Sequence, residues 1–159
     1  MRKRIKFFVS YAHGNQQLAV NFVFRLNEVL LPSKRYDYRC WMDTGLVVGE
    51  EWEAQIFDAM DKCDLGILLV SPTFLGSKFI GEQELPYLLD NKKPVIPVML
   101  QSVNFDLHDL KGLDKLQIFR YKGKRFTEPR SYSECKSSAR IDFINALFEQ
   151  IESKLSLMH

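Results

Sequence analysis

Apolar and polar positions fall into short blocks whose periods switch between strand and helix. Ile5, Phe7, Phe8 and Val9 form a nearly continuous apolar run ending near Ser10, the pattern of a strand covered on both faces. Asn15 stands where a helix N-cap is wanted, and Leu18, Phe22, Leu26, Val29 and Leu30 then recur at helical spacing until Leu31-Pro32 stops the helix. Tyr36 to Met42 reads as a second strand, followed by a loop, Asp43-Thr44-Gly45 to Val48-Gly49, with two flexible points. Glu50, Glu51 and Glu53 place negative charge in the first turn of a second helix, which carries Trp52, Ile56, Ala59, Met60 and Cys63 on one face and ends near Lys62.

Leu65 to Val70 is the most strand-like segment, stopped by Ser71-Pro72, and is expected to be the central strand. The helical stretch after it has Leu85, Leu88 and Leu89 on one side, with Pro86 either starting a turn or kinking one, since it lacks an amide hydrogen. Val95 to Leu100 supplies a fourth strand, and Leu116 to Tyr121 a fifth after a loop holding a short helix around Leu107 to Leu113. From Ser138 onward, Ile141, Ile144, Leu147, Phe148, Ile151 and Leu155 are spaced for a terminal helix. Strands and helices alternating in this way predict an α/β fold, a parallel sheet with helices on both faces.

Composition agrees with one globular domain, at 159 residues, 46% hydrophobic and 26% charged. The longest apolar runs are of strand length, well short of the ~20 residues a membrane-spanning helix needs, so no membrane is expected. Cys40, Cys63 and Cys135 are odd in number and scattered, which argues against a disulfide framework or zinc site and fits a reducing, cytoplasmic address. Charge is lopsided: residues 43 to 64 carry seven acids and one base, residues 111 to 140 nine bases and three acids. The basic stretch holds no nucleic-acid motif, so nucleic acid is not expected as a partner, whereas complementary regions favour self-association.

Ligands of open parallel sheets bind beyond the carboxyl ends of the strands, here residues 10 to 15, 43 to 50, 71 to 84 and 101 to 106. No Gly-x-Gly-x-x-Gly follows the first strand, and Gly76 to Gly81 has P-loop spacing but continues with Glu82-Gln83 in place of the phosphate-binding Lys and metal-binding hydroxyl. Ser10 and Ser71 end strands where a phosphoacceptor site would need carboxylates. His13, His108 and His159 share no metal or triad spacing, so no metal is expected and His13 reads as a solvated residue. No Gly-x-Ser-x-Gly occurs either.

Four blocks do stand together: Phe7-Phe8-Val9-Ser10-Tyr11; Trp41-Met42-Asp43 with Gly49 and Trp52; Ser71-Pro72-Thr73-Phe74-Leu75; and Ser77-Lys78-Phe79-Ile80 running to Glu84-Leu85-Pro86. In this order and spacing they resemble a TIR domain, closest to bacterial members, whose fourth block often reads Phe-Ile-x-x-x-Glu-Leu-Pro. The likeness covers nearly the whole chain and implies one domain over residues 1–159, core about 4–156, of the kind found as the N-terminal effector domain of longer proteins. It implies a flavodoxin-like, three-layer fold with five parallel strands. Thr44, Gly45, Leu46, Val47, Val48 and Gly49 fall in the so-called BB loop, implied to mediate assembly with other TIR domains.

The resemblance further implies either an enzyme that cleaves the nicotinamide-ribose bond of NAD+, in antiphage defence, or a scaffold or host-adaptor mimic working by TIR-to-TIR contact. NAD+ enters as a substrate, with no resident cofactor. Enzymatic members share a glutamate on the third helix, and Glu84 fits that position as the catalytic residue. Glu82 is its rival, disfavoured because Leu85 must face the core beside Glu84. Many relatives have an aromatic residue four places before the glutamate; here Ile80 has that offset and Phe79 lies five before. Ser10, Tyr11, Asp43, Ser71 and Phe79 are the implied substrate-binding residues, although Ser71-Pro72 can equally just end a strand and Asp43 brace its own loop.

Overall fold

The computed structural model describes residues 1–42, 52–124 and 126–158. Asp43 and the whole expected BB loop, Thr44 to Gly49, lie outside the described residues. Four parallel strands, β1 (Lys3–Ser10), β2 (Tyr36–Met42), β3 (Leu65–Val70) and β4 (Val95–Met99), form one sheet in the order β2-β1-β3-β4. All six residues of β3 are buried, as its unbroken apolar sequence requires of an interior strand. The main helices are α1 (Gln16–Leu30), α2 (Trp52–Lys62), α3 (Pro72–Gly76), α4 (Leu85–Asp90) and α5 (Ser138–Met158).

Two cores sandwich the sheet, because successive strand side chains point to opposite faces. Ile5, Phe7 and Val9 of β1 pack with Phe22 and Leu26 of α1 and with Phe143 and Leu147 of α5. Phe8, Leu68 and Val70 pack instead with Ile56 and Met60 of α2, Phe74 of α3 and Leu85 and Leu88 of α4. Helices therefore cover both faces, and the three-layer arrangement holds.

The fifth strand is the main correction. At the expected place the chain makes only one parallel bridge, Val98 with Phe119. Gln117 sits at φ 56°, a left-handed conformation that interrupts an extended run, and Tyr121 turns to pair antiparallel with Arg130. The outer edge of β4 is completed from elsewhere, since the Tyr132 and Ser133 amides donate to the carbonyls of Met99 and Leu100, each at 2.9 Å. The expected short helix around Leu107 to Leu113 appears later, as a 3-10 turn over Leu113–Leu116 that opens from Gly112 at φ 85°.

Three smaller differences concern the helices: Leu89, expected beside Leu85 and Leu88 on the apolar side, is 36% exposed. Ile141, assigned to the apolar side of α5, is 49% exposed, and Phe143 takes the buried place in that turn. Asn15 occupies the position before α1 without making a side-chain cap bond. Its side chain is committed across the sheet instead.

Candidate functional site

The carboxyl end of β1 and the segment that follows it open on a cavity of about 190 Å³, walled on its other sides by α2 and by residues 77–84. Val9, Ala12, Ile56 and Ile80 give it apolar walls, Tyr11 and Phe79 supply aromatic rings, and His13, Ser77 and Glu84 bring polar groups. Each element contributes for a local reason. The chain leaves β1 at Ser10, makes a short 3-10 turn over His13–Asn15, and enters α1. Ser71 caps α3, its hydroxyl accepting from the Phe74 amide at 3.0 Å, with Pro72 in the first turn where its missing amide hydrogen costs nothing. Ser77 then caps the next helical run, accepting from the Ile80 amide at 3.3 Å.

That run contains a π-helical turn, Ile80–Glu84, in which the Leu85 amide donates back to the Ile80 carbonyl. Pro86 supplies the cause: a proline in a helix offers no amide hydrogen and its ring crowds the carbonyl four residues earlier, which a wider turn relieves. The turn also sets the site. At five residues' separation an α-helix holds two side chains about 140° apart, and the residue accommodated by the π turn brings Phe79 and Glu84 round to the same cavity.

Glu84 is 6% exposed, a buried carboxylate among mostly apolar neighbours. Glu82, one turn-edge away, is exposed and does not line the cavity. Burial of a carboxylate is costly and is seen where the group has a task or a partner. Tyr11 is 5% exposed and packs its ring on the His13 imidazole, centroids 5.6 Å apart and planes tilted by 49°.

Of the remaining expected residues, Ser10 is buried at 1% exposure and its hydroxyl has no hydrogen-bond partner among the described residues. Ser71 is fully buried and is not among the cavity's lining residues; besides capping α3 it donates to Asn15 Oδ1 at 2.5 Å. Asp43 lies outside the described residues. The structure thus brings Tyr11, Phe79 and Glu84 together around one space and keeps Ser71 in a supporting bond.

Three contributors escaped sequence reasoning. His13 is exposed but lines the cavity, Ser77 both lines it and caps its helix, and Asn15 ties the strand ends together. Asn15 is 9% exposed; its Oδ1 accepts from Ser71 and its Nδ2 donates to Gln101 Oε1 at 3.0 Å, joining the segments that leave β1, β3 and β4. The only advance signal was position, since all three lie in the segments beyond strand ends. No group of His, Cys, Asp and Glu able to hold a metal occurs among the described residues, and none of the described helices is long and apolar enough to cross a membrane.

Compared with known protein families, residues 7–132 match the TIR domain. No curated protein matches the chain.

Proposed function

This chain belongs to the TIR domain family, whose matched segment holds every described residue of the cavity lining, and from that footing we propose that it is an NAD+ glycohydrolase or cyclase. The observation that carries the reading is the buried Glu84 carboxylate lining a cavity with two aromatic rings. A volume of about 190 Å³ is below the ~300–1,000 Å³ of pockets that engulf drug-sized ligands. It suits the nicotinamide-ribose end of a dinucleotide, the adenylate lying outside.

Ordinary glycosidases need two carboxyl groups, one of them to protonate the leaving group. Nicotinamide needs no such acid. When the bond from ribose C1′ to the pyridinium nitrogen breaks, its electron pair neutralises the ring, and nicotinamide departs uncharged. The positive charge moves to the ribose, where the Glu84 carboxylate stabilises it, while Tyr11 and Phe79 flank the departing ring. Ser10, expected to bind substrate, is 1% exposed and is not among the cavity's lining residues, so no contact with the substrate is assigned to it. Water or an adenine nitrogen then bonds to C1′, giving ADP-ribose or a cyclic isomer. Assembly with further TIR domains, through the BB loop and the opposed acidic and basic regions, completes the active form.

The test is NAD+ consumption with product identification at high protein concentration, in wild type, Glu84→Gln, Glu84→Ala and Glu82→Ala. Loss of one preorganised electrostatic group costs about 10²- to 10³-fold, so both Glu84 variants should fall that far while Glu82→Ala stays near wild type. Retained turnover in folded Glu84→Gln would sink the carboxylate's role. No turnover by assembled wild type would move the domain to the scaffold class.

A further inference from the structure

Building on the NAD+-cleaving reading, we infer that His13 is a second catalytic residue, the base that takes the proton from the attacking water. Two nucleophiles can capture the ribose cation, and they differ in one respect. Water must shed a proton as its oxygen bonds to C1′; a ring nitrogen, of adenine or of a free pyridine, has none to shed. A base in the cavity therefore accelerates hydrolysis and leaves capture by a ring nitrogen untouched.

His13 is suited to that task by elimination and by mounting. Among the described lining residues the carboxylate and imidazole side chains are Glu84 and His13. Tyr11 and Ser77 carry hydroxyls that stay protonated near neutrality. Glu84 is committed to the ribose charge, and giving it the water's proton would remove the anion the cation needs. An imidazole nitrogen offers a lone pair that can take the water's proton and pass it on. Because His13 is exposed and also lines an adjoining open trough that includes Arg140, that proton has a way out.

The mounting is rigid for a turn residue. The Asn15 amide donates to the Ala12 carbonyl at 2.8 Å, and the Gln16 amide donates to the His13 carbonyl. Asn15 is anchored to Ser71 and Gln101, and the Tyr11 ring backs the imidazole. Gly14 presses close on α3, where a Cβ would stand 3.2 Å from the Thr73 methyl. An imidazole so held is oriented before the water arrives, which is what proton transfer requires. In balance, the bond from C1′ to nicotinamide breaks with its electron pair on nicotinamide, the water oxygen bonds to C1′, and the water proton passes to an imidazole nitrogen.

The experiment supplies the assembled protein with NAD+ and an excess of 3-acetylpyridine, and measures ADP-ribose against the exchanged dinucleotide. His13→Gln and His13→Ala, checked by thermal melting, should lower the ratio of hydrolysis to exchange about tenfold or more. Free imidazole should restore hydrolysis in His13→Ala. An unchanged ratio would overturn His13 as the base while leaving Glu84-dependent cleavage standing. Equal loss of both products would also overturn it, by placing His13 in bond cleavage. Absence of any consumption in wild type removes both readings together.

Discussion

Asn15 shows how much one side chain carries when strand ends meet. Its amide spans three segments, with Ser71 on one side and Gln101 on the other, and both Asn15 and Ser71 are buried. Truncating either leaves a buried polar group unpaired, at a cost of about 1–3 kcal/mol. In a chain of this length that lowers Tm by about 2–4 °C per kcal/mol. Asn15→Ala and Ser71→Ala should each destabilise to that extent, and the double variant by less than the sum. A double-mutant cycle in urea reads the coupling, expected at about 0.5–3 kcal/mol; strict additivity would mean the bond contributes nothing.

Among the elements, the π-helical turn before Pro86 matters most, since it brings Phe79 and Glu84 round to one cavity. Pro86→Ala restores an amide hydrogen and removes the clash that favours the wide turn. The fold should survive, with Tm changed by about 4 °C or less, corresponding to roughly 1 kcal/mol. NAD+ turnover should fall about tenfold or more, because a displacement of the order of 1 Å at a reacting centre suffices for losses of that size. Full activity in Pro86→Ala would mean that the glutamate is placed by other contacts.

The elements themselves were mostly legible. The bounds of β3 follow from its apolar run and those of β2 from its aromatic-rich segment Tyr36 to Met42, and Leu31-Pro32 and Ser71-Pro72 mark real ends. What failed was the fifth strand, because the apolar character of Leu116 to Tyr121 says nothing of a left-handed Gln117 or of a neighbour arriving from residues 132–133. The site divides likewise. Glu84 was legible through its motif and Leu85's register, but its companions were not. Asn15 looks like a cap by position, yet its partners stand 56 and 86 residues away, and local spacing cannot report a contact of that range. His13 looked solvated, and it is exposed; that its exposed face belongs to a cavity depends on where Phe79, Ile80 and Ile56 arrive.

At the scale of the whole molecule, the last helix is fastened to β2 and to the turn that precedes it. Ser33 Oγ and the Tyr38 phenol both donate to Glu152 Oε2, at 2.9 and 2.5 Å. Burial, then the hydrogen bond to Glu152 and its charge, push the Tyr38 pKa well above its ordinary value of 10.0. The folded state thus holds the phenolic proton more tightly than the unfolded one, so this stabilisation is complete below pH ~10 and is lost as pH rises beyond it. Thermal melting between pH 8 and pH 11 should show wild type losing more stability on the alkaline side than Tyr38→Phe. Parallel curves would mean that the phenol's proton is not linked to folding.

The closing of β4's outer side has a consequence for how copies can join. Phe119 occupies its middle and Tyr132 and Ser133 its end, so among the described strands only β2 keeps a long side without a strand neighbour. A sheet with one open border can be extended once. Among the described strands, border-to-border joining of two molecules consumes the one long border left open on each and stops at a pair. Any unlimited array of this domain must therefore propagate through helices and loops, with each sheet remaining a closed unit inside it.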